Sequence, residues 1–267
     1  MNFWTKMSIE FANQRNYLDE LFKVYPISPN LRREIPTNKW NKIEKAFLSN
    51  ENVNLIEELL KLDLFPIKDS YVAYLRRDRS SIRRNPQTIS RIAGNLHAMG
   101  LENIFEKCTE PKETNRQIGP MFKRWISKGT LGAPVYTSVA EFMKNPEENA
   151  ILNVSDAEMM SFAKMYLGYN HEKGLDFVAR FNRKYIIGET KFITDFGGHQ
   201  NGQFNDAILT ITTDLSRKKV QNEIIKIAIM DGVLYIKGKS KMHNHLKKHD
   251  DQIIISSLLL REFLFSL

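Results

Sequence analysis

The stretch KGLDFVARFNRKYIIGETKF, residues 173–192, decides the fold. Two runs rich in Phe, Val, Ile and Tyr, Leu175 to Phe181 and Lys184 to Phe192, flank the polar pair Asn182-Arg183. Apolar runs around a two-residue polar break read as a β-hairpin. With that pair as the loop, Phe181 faces Lys184, and counting outward puts Asp176 opposite Glu189. Side chains alternate between the faces of a strand, so Glu189 and Lys191 share a face and Asp176 joins them. Two directly opposed carboxylates in a half-buried sheet repel each other and destabilise it. A divalent cation between them resolves the conflict.

Hard cations such as Mg²⁺ take carboxylate and carbonyl oxygens and retain waters, a set that Asp176, Glu189 and the Thr190 carbonyl offer. A cation held there acidifies a water and shields charge on a phosphodiester. Lys191, two residues on, reaches the same water and either orients it or stabilises the developing negative charge. The pattern D-x12-E-x-K across a hairpin resembles the signature of the PD-(D/E)xK nuclease superfamily, although Leu175 stands where a Pro is usual. The plain alternative is a surface hairpin with incidental charges.

Downstream, GGHQNGQFNDA spans Gly197 to Ala207. The glycine pair permits a sharp exit from the strand. Gln200, Gln203 and Ala207 then recur at helical spacing, with Asn201 and Asn205 beside them. Gln and Asn amides read an adenine edge bidentately or bridge to phosphates, so this cluster suits DNA contact. An ordinary polar loop and helix start is the alternative. The stretch YIIGETKFITDFGGHQNGQFNDA resembles type II restriction endonucleases. The resemblance continues into IIKIAIMDGVLYIKG and IIISSLLLREFL, and upstream into FPIKDSYVAYLRRDRSSIRRNPQTISRIAG and TEPKETNRQIGPMFKRW.

That resemblance implies a Mg²⁺-dependent endonuclease cutting both strands of DNA at a short, palindromic sequence and leaving 3′-hydroxyl and 5′-phosphate ends. It implies a homodimer, with the helical N-terminal half or Leu258 to Leu267 as interface, and a cognate DNA methyltransferase in the same system. It also implies a role for Glu158, because an acidic residue on the helix before the catalytic strand often approaches the metal in such nucleases. Ser155-Asp-Ala-Glu158 is equally a capping box opening a helix to Leu167.

The remaining chain is consistent with this. A net charge of +8 among 267 residues, with a pI near 9.4, favours a polyanionic partner. No apolar run approaches the roughly 20 residues of a membrane span. The first residues lack the order of a signal peptide, and Cys108, the single cysteine, forms no internal disulfide, so a cytoplasmic protein is expected. Helical periodicity over Asn16–Val24, Asn38–Leu48, Asn54–Leu64 and Gln87–Met99 makes the first half mainly helical. Within it Arg76, Arg77, Arg79, Arg83, Arg84 and Arg91 are opposed only by Asp78, a density suited to phosphate contact and guanine readout. A solvated basic face is the alternative.

The small residues of GTLGAPVY, 129–136, mark a boundary between a helical DNA-recognition part, 1–132, and a catalytic part, 133–267. Further strands are expected at Glu223–Met230 and Val233–Ile236 around a turn at Asp231-Gly232, and at Ile253–Ser256, before a closing helix. The fold class is α/β: a mixed sheet flanked by helices in a restriction-endonuclease-like core, behind the helical part. His245 and His249 share a helix face but sit among lysines, and read as a basic segment rather than a metal site. Trp4, Trp40 and Trp125 read as core or interface residues. Two other functions compete: a repair or structure-specific nuclease on the same fold, and a non-catalytic DNA-binding regulator. An intact D…E-x-K set disfavours the regulator.

Overall fold

The computed structural model describes residues 1–26, 32–111, 117–195, 197–216, 219–237 and 241–267. Residues 112–116, Phe196 and Gly238, within the segments quoted above, lie outside the described residues. The described strands form one mixed sheet in the order β1 (Val135–Tyr136), β2 (Ala150–Leu152), β3 (Phe177–Phe181), β4 (Lys184–Ile193), β5 (Ile224–Gly232), β6 (Ile253–Ile255). The pairs β2–β3 and β3–β4 are antiparallel, whereas β1–β2, β4–β5 and β5–β6 are parallel.

The described helices are α1 (Phe3–Ala12), α2 (Tyr17–Val24), α3 (Thr37–Leu48), α4 (Asn52–Leu59), α5 (Ser70–Arg77), α6 (Ser81–Arg84), α7 (Pro86–Met99), α8 (Leu101–Thr109), α9 (Ile118–Ser127), α10 (Val139–Lys144), α11 (Asp156–Phe162), α12 (Gly198–Thr212), α13 (Lys241–Lys248) and α14 (Leu260–Phe265). Parallel neighbours need a crossover, and α12 carries β4 to β5 while α13 carries β5 to β6.

The hairpin has the register counted from the sequence: Phe181 pairs Lys184 and Phe177 pairs Gly188. Asn182 and Arg183 have φ of 44° and 63°, the paired positive values of a hairpin turn whose twist matches its strands. Alternation then sorts the side chains. Ile151, Phe177, Ala179 and Ile186 pack with Met121 and Phe122 of α9. Leu152, Val178, Tyr185 and Ile187 pack with Phe142, Met159 and Phe162. Asp176, Glu189 and Lys191 continue that second face beyond its apolar part. Gly188 is required beside them, because a Cβ there would lie 2.7 Å from the Ile227 carbonyl oxygen.

The chain divides into two compact units, one of Met1–Ile27 with Thr114–Leu267, the other of Ser28–Glu113. This differs from a break at 132 because the first helices belong with the sheet. Thr5 Oγ1 accepts from the N–H of Ile254 at 3.4 Å and Ser8 Oγ from that of Ser256 at 2.9 Å, so α1 satisfies donors along edge strand β6. The second unit is helical, with Ile43, Leu55, Ile56, Leu59, Ile92, Leu96 and Ile104 at its centre.

The expected turn at Asp231-Gly232 and strand at Val233–Ile236 are corrected. Strand β5 runs through Gly232, and Val233–Tyr235 form a 3₁₀ turn. The turn-forming letters serve a buried junction instead. Gly232 has φ +100°, and a Cβ there would lie 2.1 Å from the Ile193 carbonyl oxygen. Asp231 is fully buried and accepts from Tyr25 Oη at 3.0 Å, Tyr17 Oη at 3.4 Å, Ser256 Oγ at 2.5 Å and Ser257 N at 3.2 Å. Burial raises its pKa against the pull of these donors. The tryptophans lie against other aromatic rings, Trp4 on Phe263, Trp40 on Phe105 and Trp125 on Phe122. Tyr25→Phe removes one donor from a buried carboxyl and is expected to cost about 1–3 kcal/mol in urea unfolding. A loss near zero would show that Asp231 does not anchor α2 to the sheet.

Candidate active site

Asp176 lies one residue before β3, and its backbone N–H donates to the Gly188 carbonyl at 3.1 Å, where the regular ladder ends. Its Oδ2 accepts from the Thr190 N–H at 2.9 Å. In a strand a residue's N–H and C=O point to the same neighbour, so the Thr190 carbonyl also points to the side where β3 has ended. Glu189 is buried. Its Oε1 lies 2.5 Å from Lys191 Nζ and 2.6 Å from Lys173 Nζ, and its Oε2 accepts from Thr210 Oγ1 at 2.9 Å. Lys191 Nζ is 3.8 Å from Asp176 Oδ2. The hairpin thus brings Asp176, Glu189 and Lys191 together.

Burial and neighbouring charges both act on the site. Burial pushes the Asp176 carboxyl up to about 6, with Lys191 pulling against this and Glu189 adding to it. Burial alone would lower the Lys191 pKa, but Asp176 and Glu189 outweigh it and hold the ammonium above its ordinary value. Asp176, Thr190 and Lys191 open into a cleft of about 340 Å³, lined also by Ile118, Gly119, Pro120, Phe192 and Gln203. Among the described residues no three or more His, Cys, Asp or Glu side chains converge as a metal cage. A hard, largely hydrated cation needs fewer: two carboxylates, the Thr190 carbonyl and an open cleft for waters fit Mg²⁺.

Glu158 does not join this cluster. Its carboxylate accepts from the Ser155 N–H at 3.0 Å and the Ser155 hydroxyl at 2.5 Å, and this capping box, chiefly the hydroxyl, lowers its pKa. The acid of α11 that acts on Asp176 is Asp156, whose charge helps raise the Asp176 carboxyl and whose Oδ1 lies 2.5 Å from Lys123 Nζ. Three further groups escaped the sequence reading: Lys173, Asp206 and Thr210. Lys173 Nζ lies 3.3 Å from Asp206 Oδ2. A signal was present in the i, i+4 spacing of Asp206 and Thr210, and in a lysine three residues before Asp176.

The amides of α12 separate by face. Gln200 is turned inward, its Oε1 accepting from the Thr194 N–H at 3.3 Å. Gln203 lines the cleft, Asn201 is partly buried and Asn205 is exposed. His245 and His249 both lie against the Phe204 ring of α12, at 5.6 and 6.4 Å between centroids.

The arginines of the helical unit also separate. Arg76 Nη1 donates to the Asp63 carbonyl at 3.1 Å, and Arg79 Nη2 to that of Leu60 at 3.0 Å. Arg84 pairs with Asp78 at 2.5 Å, and Arg91 with Asp69 at 2.6 Å. Arg77 and Arg83 are exposed. Cys108 is buried and its thiol pushed up to about 12, which leaves it an inert core group.

The model of the Tsp45I type II restriction enzyme family matches residues 2–267, nearly the whole chain. The chain belongs to that family. No curated protein and no solved structure matches it. As a member of this restriction enzyme family it is a DNA endonuclease, of a class that generally uses a divalent metal. Membership favours restriction over a repair nuclease or a regulator. No described helix is long and apolar enough to cross a membrane.

Because the folded Asp176 carboxyl binds its proton more tightly than the unfolded one, with its ordinary value of 3.8, ionising it costs stability above pH 6. That cost is recovered as pH falls towards 4. Asp176→Asn is therefore expected to stabilise the metal-free protein at pH 8 by up to about 3 kcal/mol, with the difference closing below pH 6. Chemical unfolding across this range checks it, and a destabilised Asn variant at pH 8 would contradict the desolvated carboxylate.

Proposed function

We propose that this restriction endonuclease makes Mg²⁺-dependent cuts in both strands of DNA at a short, palindromic sequence, with Asp176, Glu189 and Lys191 as its catalytic residues. The observation that carries the proposal is the convergence of two carboxylates and an ammonium on one face of a buried hairpin, with Asp176 and Lys191 lining a cleft.

Asp176, Glu189 and the Thr190 carbonyl would hold the ion. When bound, it supplies positive charge against the phosphodiester and acidifies water. Lys191 stays an ammonium between two carboxylates, so it acts as donor and charge rather than as base. Its Nζ orients the attacking water and offsets negative charge growing on the phosphorus oxygens. In-line attack leaves a 3′-hydroxyl and a 5′-phosphate. Thr210 fixes the second oxygen of Glu189 and Thr190 N–H fixes Asp176, which keeps both carboxylates aimed at one place. Glu158 is not assigned a catalytic part, since its carboxylate is engaged as a cap.

The helical unit supplies recognition in this reading. Arg77 and Arg83 are its most available arginines, while Arg76, Arg79 and Arg84 are engaged within the unit and support the surface that presents the others. Gln203, Asn201 and Asn205 are the amides placed for DNA contact, with Gln200 held inward. Double-strand cutting by one site per chain is met by a homodimer on a palindrome. Leu18 and Phe22, one turn apart on α2 and both exposed, support a role for the N-terminal helices in that contact. A methyltransferase of matching specificity belongs to the same cytoplasmic system.

Long unmethylated DNA incubated with the protein and Mg²⁺ is expected to give discrete fragments, and none in EDTA. Glu189→Ala or Lys191→Ala should abolish them while leaving gel-shift affinity intact, because affinity comes mainly from phosphate contacts elsewhere. Cutting by Glu189→Ala at the wild-type rate would remove the hairpin from the chemistry.

Arg77→Ala and Arg83→Ala should each weaken binding or relax one base position by about 1–3 kcal/mol, whereas Arg84→Ala should change little. Binding isotherms over a salt series and a panel of variant sites separate the two effects. Unchanged affinity and preference in both would move the DNA away from this unit.

A further inference from the structure

Two ammonium groups stand in ion-pair contact with one carboxylate oxygen, Glu189 Oε1, and occupy the space a cation would need there. Lys191 Nζ lies at 2.5 Å and Lys173 Nζ at 2.6 Å. Oε2 already receives the Thr210 hydroxyl at 2.9 Å. Glu189 can therefore ligate a cation through Oε1 only if one ammonium leaves. The two lysines are not equivalent. Lys191 is fixed two residues along the same strand and lies beside Asp176 as well. Lys173 sits on the connection before β3, three residues from Asp176, and has a second acid within reach, Asp206 Oδ2 at 3.3 Å. Asp206 is exposed on α12, so the pair it forms with Lys173 can persist in water after Glu189 is released.

The local chain is built to bring Lys173 there. Gly174 packs so closely on the start of α11 that a Cβ would lie 2.9 Å from Asp156 Cβ. The Lys173 N–H donates to His171 Nδ1 at 3.0 Å, which fixes the approach of the loop.

We propose that Lys173 is the resident counter-ion of the cleavage site, which occupies Glu189 before the divalent ion arrives and passes to Asp206 when it binds. It is a positioning residue, acting through Glu189. The buried Glu189 is thereby paired and aimed without metal, and metal entry becomes an exchange of cations rather than the filling of a bare carboxylate. The proposal rests on the reading that Asp176 and Glu189 hold the ion.

The test is Mn²⁺ binding to the full chain without DNA, followed by the electron paramagnetic resonance of the free ion, for wild type, Lys173→Met, Asp206→Asn and Glu189→Gln. Lys173→Met is expected to bind Mn²⁺ several-fold more tightly, since the competing cation is gone, while its metal-free form melts at a lower temperature. Asp206→Asn is expected to bind more weakly, because displaced Lys173 then has no acid to receive it. A merely structural lysine would not produce these opposite signs. Lys173→Gln gives the same readout should the Met variant fail to fold. Unchanged or weaker Mn²⁺ binding in the folded Lys173 variant overturns the counter-ion. Wild-type binding by Glu189→Gln overturns the metal-site reading beneath it. Loss of binding in Glu189→Gln together with an unchanged Lys173 variant sinks the counter-ion alone.

Discussion

Two carboxylates held on the same face of a buried hairpin are the constraint from which the rest of the site follows. Asp176 and Glu189 are held on one face at the end of a register that the apolar side chains of β3 and β4 fix, because a slip of one residue would turn every one of them to the wrong face. The repulsion this creates cannot relax by moving the acids apart. It is met instead by hydrogen bonds from Thr190 and Thr210 and by the ammonium groups of Lys191 and Lys173. Burial, more than the repulsion from Glu189, is what still raises the pKa of Asp176. A site so arranged is less stable than an apolar one, and function is the reason to keep it.

Much of that hairpin was legible in the sequence. The strands announce themselves by aromatic and β-branched residues, and a two-residue polar break leaves one register that pairs them. The same local logic located the Ser155 cap and the helix Pro86–Met99, which ends at Gly100 with its φ of +81°. What failed to show depends on contacts distant in sequence. Strands β1 and β2 are too short for alternation to register. Asp231-Gly232 reads as a turn, yet it is a buried junction closed by Tyr17, Tyr25 and Ser256, residues from both ends of the chain. The first helices join the sheet unit through core residues such as Leu21 and Val24 and through hydroxyls of Thr5 and Ser8, which no pattern marks as partners of β6.

At the site the same division holds. Asp176, Glu189 and Lys191 lie on one hairpin and could be counted together. Lys173 and Thr210 reach Glu189 from a connection and from α12, and Asp206 of α12 reaches Lys173, so only packing reveals them. Glu158 and Asp156 show why a motif letter is insufficient: both open α11, but one turns back on its own cap and the other lies where its charge acts on Asp176. The arginines make the same point for recognition, since density in sequence does not distinguish those held by carbonyls and Asp78 from the exposed Arg77 and Arg83.

The central claim is that a divalent ion sits between the hairpin carboxylates. Its most direct test is a crystal structure of the full chain grown with Mn²⁺, using the anomalous signal of the metal. The account predicts a difference peak bounded by Asp176, Glu189 and the Thr190 carbonyl, with Lys191 beside it. A peak elsewhere, with this place holding only Lys173 and Lys191 at saturating Mn²⁺, would contradict it.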